Sequence, residues 1–305
     1  MKIFDATRTA QALPYAQLVP AVARAARELA AGLIRAPERQ VVPIDGDSVL
    51  LSMPAIGSDL GVTKLITVHA RNGAHGLPAI QGEVIVFDTA TGLRRALLHG
   101  PTVTARRTAA VTLLGIETLA PRKPASAVII GSGIQAEAHI EALSDYFGIR
   151  DFRVAGRNQE RTSEFCKRLS GRLPGISALP IDMAAVLPAA EQAGLVIALT
   201  TSRSPVIPAD LPPDVLAVGV GAFKPDMAEF PPELLHRRRI VVDDIDGARH
   251  EAGDLLQAGI DWNRVTPIAG NLERKDATEG SVPVFKTVGQ AAWDLAAARV
   301  ASILF

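Results

Sequence analysis

The sequence has almost no cysteine: Cys166 stands alone among 305 residues. No intrachain disulfide can form, which fits a reducing compartment. Cys166 lies in Thr162–Leu169, which reads as a helix with no base motif beside it. It is expected as a small buried residue rather than a reactive thiol. Charge of one sign is missing too, since Lys and Arg total 32 and Asp and Glu total 32. A balanced chain offers no basic footprint for nucleic acid or an anionic membrane surface, although it can still hold a local cationic pocket. No run of about 18 apolar residues occurs. The nearest approach, Met183–Thr200, is broken by Pro188, Glu191 and Gln192. The first residues, Met1–Asp5, reach an acid at once and carry no apolar leader. A soluble, cytoplasmic protein is expected. The six histidines (His69, His75, His99, His139, His236 and His250) are scattered without metal-ligand spacing. No metal site is therefore expected. Repeats, charge blocks and low-complexity segments are also missing.

Hydrophobic residues make up 48% of the chain, enough for a sizeable core. The length suggests two domains at about 100–200 residues each. In the first part, Leu18, Val22, Ala25, Ala26 and Leu29 recur at helical spacing, which predicts an amphipathic helix over Tyr15–Ala31. Ser48–Met53, Gly61–His69 and Glu83–Asp88 are rich in Val, Ile and Leu and read as strands. Thr89–Gly92 reads as a hairpin turn into Leu93–Leu98. From Ala125 the rhythm changes to short apolar runs separated by helical stretches. The runs are Ala127–Ile130, Phe152–Ala155, Leu195–Leu199, Val215–Val220 and Ile240–Val242. That alternation predicts an α/β fold: a Rossmann-type, doubly wound parallel sheet beside an α+β domain. Val288–Phe305 is helical in pattern and is assigned to the first domain. The expected domains are 1–115 with 288–305, and 116–287.

The strand Ala127–Ile130 runs into Gly131-Ser132-Gly133-Ile134-Gln135-Ala136, a G-x-G-x-x-A pattern. Gly131 permits the tight turn, Gly133 lets the backbone approach a pyrophosphate, and Ala136 allows close helix-strand packing. The helix that follows aims its N-terminal amides, including those at Ile134 and Gln135, at the phosphates. A second strand arrives about 20 residues on, as the dinucleotide fingerprint requires. An NAD-preferring site ends that strand with a carboxylate. Here the sequence is Val154-Ala155-Gly156-Arg157-Asn158, and the Arg157 fork suits a 2′-phosphate. NADP(H) is the expected cofactor, with NAD(H) as a second possibility. Thr200, Thr201 and Ser202 follow another strand's carboxyl end, where open α/β sheets bind ligands.

Three basic residues outside the nucleotide domain stand in distinctive contexts: Arg39 in Ala36–Arg39, Lys64 in Gly61–Lys64, and Arg107 in Thr104–Ala110. Spacing alone does not join them. Together with Gly76-Leu77-Pro78, Phe87-Asp88, Thr91-Gly92, Glu251-Ala252-Gly253-Asp254-Leu255 and Phe285-Lys286-Thr287-Val288-Gly289, they resemble the ornithine cyclodeaminase/mu-crystallin family over essentially the whole chain. The resemblance implies a homodimer whose first domain, with the last helix, binds substrate and dimerises. It implies that Arg39, Lys64 and Arg107 hold a substrate carboxylate, a role that suits bidentate arginines and an ammonium. It also places Thr200–Ser202 and Phe285, Lys286 and Thr287 near the nicotinamide and ribose.

Within that family, cyclodeaminases and alanine dehydrogenases carry an Asp after Gly-Ala in the loop following the fifth Rossmann strand. This chain reads Gly221-Ala222-Phe223, and Phe223 can neither take a proton nor pair with an ammonium. The chain is thus closest to the ketimine reductases, which reduce Δ1-pyrroline-2-carboxylate and Δ1-piperideine-2-carboxylate. Reduction asks only that a preformed C=N bond receive hydride and a proton. Glu83, where the family often has Thr, and Lys64 are the candidate proton donors. The alternatives are ornithine cyclodeaminase with catalytic NAD, a mu-crystallin-type NADP(H)-dependent binding protein, and, more weakly, an alanine dehydrogenase.

Overall fold

The computed structural model describes residues 1–46, 48–69, 71–273 and 281–305. These divide into two compact units, Met1–Val111 with Gly289–Phe305, and Thr112–Val288. The sequence had suggested a first boundary at 115/116. No loop marks a boundary there, because one helix runs unbroken over Gly100–Leu119.

The first unit holds a six-stranded sheet of β1 (Lys2–Phe4), β2 (Gln40–Pro43), β3 (Val49–Ile56), β4 (Leu60–Val68), β5 (Ile80–Asp88) and β6 (Arg94–His99). Its order is β1-β6-β5-β4-β3-β2, antiparallel except for the parallel β1–β6 pair. The expected hairpin forms: the Asp88 carboxylate accepts from the Thr91 amide and hydroxyl, and Gly92 adopts φ +70°. Helices α1 (Ala6–Gln11), α2 (Tyr15–Ala30) and the start of α3 (Gly100–Leu119) belong here. The predicted amphipathic helix is α2, with Leu18, Val22, Ala25 and Ala26 buried.

Strand alternation divides the sheet's residues between two faces. Met53, Val62, Lys64, Ile66, Val84 and Val86 are buried on one face. On the other, Ser52, Leu65, Glu83 and His99 form one cross-strand row, and Leu65 is 43% exposed.

The second unit is a parallel sheet of β7 (Ser126–Ile130), β8 (Asp151–Ala155), β9 (Ser177–Ile181), β10 (Leu195–Ala198), β11 (Leu216–Gly219), β12 (Ile240–Val242), β13 (Val265–Pro267) and β14 (Val284–Lys286). The order is β13-β12-β14-β11-β10-β7-β8-β9. Strands β10 and β11 are buried end to end and β7 from Ala127 onward, which is why they read as continuous apolar runs. Helices α4 (Ile134–Phe147), α5 (Gln159–Arg172), α6 (Val186–Ala193), α7 (Pro232–Arg237), α8 (Ile245–Glu251) and α9 (Gly253–Gln257) connect the strands. The chain moves outward from β7 through β8 to β9, then returns to place β10 on the opposite side of β7. The topological switch point therefore lies between β7 and β10, where ligands bind in such sheets.

Strand β14 is the last in the chain but pairs between β11 and β12. The sequence marked Phe285 and Lys286 only as cofactor contacts, because three residues are too few for a periodicity. The final helix, α10 (Ala291–Ala301), is shorter than the expected Val288–Phe305 and returns to the first unit. No helix among the described residues is long and apolar enough to cross a membrane.

Candidate active site

In the second unit, the turn after β7 carries the dinucleotide pattern. Gly131 adopts φ +118°, and a Cβ there would come within 2.6 Å of the Leu199 carbonyl oxygen. Only glycine fits a turn so close to the end of β10. Gly133 caps α4 with extended backbone, and a Cβ on it would meet nothing within 4 Å. The space over this glycine is open, as a pyrophosphate cradle requires. Ile134, the first residue of α4, is 67% exposed, and Ala136 is fully buried against the sheet. The residues present thus fit a dinucleotide. Gly156, at the end of β8, lies so near α5 that a Cβ would fall 2.4 Å from the Thr162 hydroxyl. Arg157 follows, exposed, and no ion pair engages it among the described residues. Asn158 is committed locally, since its side chain accepts from the Arg161 amide and caps α5.

After β10, Thr200 is half-buried, Thr201 exposed and Ser202 half-buried. A carboxylate that the sequence did not single out anchors this loop. Glu229, fully buried, accepts at Oε1 from the Thr200 amide (2.7 Å) and hydroxyl (3.1 Å). Its Oε2 accepts from the Gly221 (2.7 Å) and Ala222 (3.2 Å) amides. One side chain thereby joins the loops after β10 and β11. Burial raises the Glu229 pKa, and the Lys286 ammonium and the Thr200 amide oppose that rise.

Lys286 is itself fully buried, with Nζ 3.5 Å from Asp254 Oδ2. Phe285 is packed on Gly115, and the Thr287 hydroxyl donates to Asp243 at 2.7 Å. The side chains of these three expected cofactor residues therefore face the interior and brace the sheet. The Glu251–Leu255 motif serves the same frame. Asp254 accepts from the Glu229 amide, and Gly253 is in contact with the carbonyls of Lys224 and Met227, each 2.3 Å from where a Cβ would stand.

In the first unit, Lys64 and Arg107 converge on a residue the sequence reading missed. Lys64 Nζ stands 3.0 Å from Asp294 Oδ2, and Arg107 Nε 3.3 Å from Asp294 Oδ1. All three are buried, Asp294 completely. Asp294 lies in the first turn of α10, where the helix dipole favours a carboxylate. Its signal in the sequence was one acid inside the otherwise apolar run Ala291–Leu295.

Arg39 joins through the same segment, donating to the Gly289 carbonyl oxygen at 2.8 Å. Gly289 has φ +84°, and a Cβ there would lie 2.7 Å from Arg107 Nη1. The glycine of the Phe285–Gly289 motif thus serves both an unusual backbone angle and the guanidinium packed on it. Burial pushes the Lys64 pKa down to about 7; Asp294 opposes the fall, and Arg107 and Arg39 add to it. Of the trio that spacing could not join, Lys64 and Arg107 meet on the Asp294 carboxylate, and Arg39 stands near enough to act on the Lys64 charge.

Glu83 does not join them. Lys64 pairs in register with Val84, and Glu83 with Leu65, so Glu83 projects from the opposite face of the sheet. It is exposed, its pKa raised by partial desolvation with His99 opposing. The sequence reading took its strand without its register, and one residue of register decides the face.

Comparison with known proteins fits this geometry. The ornithine cyclodeaminase/mu-crystallin family profile matches residues 2–302. Over 299 residues the chain is 45% identical to Delta(1)-pyrroline-2-carboxylate reductase 1 of Burkholderia multivorans, covering 98% of this chain and 94% of that protein. It is 30% identical to the ketimine reductase mu-crystallin of Rattus norvegicus, covering 88% and 85%. The solved structure of Thermococcus litoralis Delta(1)-pyrroline-2-carboxylate reductase with NADH and L-proline superposes with TM-score 0.89 at 25% identity, covering 99% and 97%. On profile, sequence and fold together, the chain belongs to the ornithine cyclodeaminase/mu-crystallin family.

Proposed function

We propose that the protein reduces cyclic ketimino acids, Δ1-pyrroline-2-carboxylate to proline and Δ1-piperideine-2-carboxylate to pipecolate, with NADPH preferred and NADH accepted. The observation that carries this reading is the first unit's cluster, in which buried Lys64 and Arg107 share the Asp294 carboxylate and half-buried Arg39 acts on the Lys64 charge. A surplus of positive charge in a buried setting is unfavourable unless an anion joins it. A small imino acid brings one carboxylate as its strongest handle, and Arg39, Arg107 and Lys64 fix its orientation. When bound, the reduced nicotinamide supplies the hydride. Lys64 supplies the proton: its N–H bond breaks toward the imine nitrogen as the C=N electron pair moves there. Phe223 fits this chemistry and not cyclodeamination, which needs a group that accepts a proton from the distal amine.

The NADPH preference rests on Arg157, exposed at the end of β8 with no carboxylate beside it. In this reading the first unit binds substrate and dimerises, and the second holds the dinucleotide. The homodimer would cover the outer face of the first sheet, where Ile56 and Leu65 are each 43% exposed. Buried Cys166, with its pKa pushed up to about 11 by burial, suits a reducing cytoplasm.

The test mixes protein, NADPH and the cyclic imine generated by oxidising an amino acid, and follows the dihydronicotinamide absorbance. NADPH consumption with formation of proline or pipecolate supports the reading. Ammonia release from ornithine without net redox would replace it with a cyclodeaminase, and silence in both assays with a binding protein.

A further inference from the structure

We propose that Asp294 is a positioning residue of the reductase, fixing the Lys64 side chain and supplying the counter-charge that raises its proton affinity, to which the substrate carboxylate adds on binding. The inference deepens the ketimine-reductase reading and rests on it. Its geometry is independent of any ligand: the carboxylate is completely buried, 3.0 Å from Lys64 Nζ and 3.3 Å from Arg107 Nε. On α10 the residues flanking Asp294, Trp293 and Leu295, are buried apolar groups.

Three charged groups on three segments set the proton affinity of Lys64. Asp294 lies on α10, Arg107 on α3 and Arg39 on the segment before β2, while the cross-strand neighbours Met53 and Val84 are uncharged. Among the charges of the described residues that act most on Lys64, Asp294 is the anion. Two guanidiniums and burial work to strip the proton from Lys64, and one carboxylate retains it.

Two consequences follow. First, Lys64 in the free protein changes charge near neutrality, at about 7. Second, the substrate carboxylate enters as a second anion and strengthens the hold on the proton, so binding above that pH takes up a proton from solvent. The proton is then in place when the imine nitrogen needs it. In the step itself, the imine carbon gains the hydride, the nitrogen gains the Lys64 proton, and the donor leaves as NAD(P)⁺. Neutral Lys64 is reprotonated from solvent after product leaves.

The experiment uses full-length protein labelled with ¹³Cε-lysine, titrated by NMR, with Lys64→Met to assign the resonance. Calorimetry with pyrrole-2-carboxylate in buffers of different ionisation enthalpy counts protons taken up at pH 8. A wild-type Lys64 resonance titrating near 7, with proton uptake on binding, is expected. Asp294→Asn should weaken Lys64 proton affinity by about tenfold or more, a downward shift of about one pH unit. The alkaline limb of kcat/KM should move with it, while KM at low pH does not rise because both arginines remain. Asp294→Glu should restore most of the shift.

The proposal is overturned by a wild-type resonance near the ordinary lysine value of 10.5. It is also overturned if Asp294→Asn lowers kcat and raises KM together with the limb unmoved, the pattern of a merely structural residue. If that variant does not fold, the wild-type titration and the Asp294→Glu profile still decide. A chain showing the NMR behaviour but no NADPH oxidation would instead refute the ketimine reading and leave the Lys64–Asp294 linkage standing.

Discussion

The first unit gathers two buried cations, Lys64 and Arg107, on one carboxylate, Asp294; the second gathers two carboxylates, Glu229 and Asp254, around one cation, Lys286. Both clusters are buried and both lie beside motifs of the family, yet their balance is opposite. In the second unit the acceptor capacity of Glu229 is filled by three backbone amides and a hydroxyl. Glu229 thereby acts as a brace for the loops after β10 and β11. In the first unit the one carboxylate of Asp294 faces both the Lys64 ammonium and the Arg107 guanidinium. A buried carboxylate that holds four backbone and hydroxyl donors is structure; buried cations that outnumber the carboxylate they face are a candidate site.

That contrast can be broken most forcefully at Glu229. Glu229→Ala strands the donors of two loops and removes a carboxylate beside Lys286, and should cost about 3–5 kcal/mol of stability. Chemical denaturation would measure it, and a loss confined to activity, with stability kept, would mean that Glu229 is no brace.

A second buried group of the same unit sharpens the point through pH. His139 is buried with Nδ1 2.7 Å from the Gln135 carbonyl oxygen and Nε2 2.9 Å from the Thr112 hydroxyl. Burial pushes its pKa from 6.5 down to about 4, with the Gln135 carbonyl opposing. Because the folded value lies below the unfolded one, the stability this neutral ring contributes is complete above about 6.5 and is lost as pH falls toward 4. The loss is about 3 kcal/mol. The stability of His139→Gln should accordingly fall less steeply than that of the wild type between pH 6.5 and 4.5, and parallel slopes would rule this out.

In the first unit the expected signature is reversed, with chemistry lost and fold kept. Lys64→Met should lower imine turnover by about 10²-fold or more. Its thermal midpoint should fall less than that of Glu229→Ala, because Arg107 still pairs with the Asp294 carboxylate. A near-wild-type rate would remove Lys64 from the mechanism. The smallest effect is expected at the exposed Arg157. Arg157→Ser should shift the NADPH-to-NADH ratio of kcat/KM toward NADH by about tenfold, since a charge-assisted contact of roughly 1.5–3 kcal/mol is lost only with the phosphorylated cofactor. An unchanged ratio would place the 2′-phosphate elsewhere.

How much of this was legible beforehand depended on range in sequence. The turn at Gly131 and the end of β8 are local, and glycine, apolar runs and the missing carboxylate at Arg157 could be read directly. The hairpin at Asp88–Gly92 was legible for the same reason. The cluster around Asp294 was not, because Lys64 and Asp294 lie 230 positions apart and nothing local marks their contact. Only the family resemblance brought Arg39, Lys64 and Arg107 together, and it did not name the acid between them. Glu83 failed for a different reason: a strand can be recognised from composition, but the face each residue takes depends on a register that composition does not set. Lys286 failed because β14 is too short to show a period, so its burial was invisible until the sheet order was known.

The claim on which the rest depends is that the Arg39–Lys64–Arg107 cluster receives the substrate's carboxylate. A crystal structure of the protein with NADP⁺ and L-proline tests it most directly. The prediction is proline carboxylate oxygens within about 2.7–3.2 Å of Arg107 and Lys64 nitrogens. Proline bound with its carboxylate on other groups, and these three side chains untouched, would contradict it.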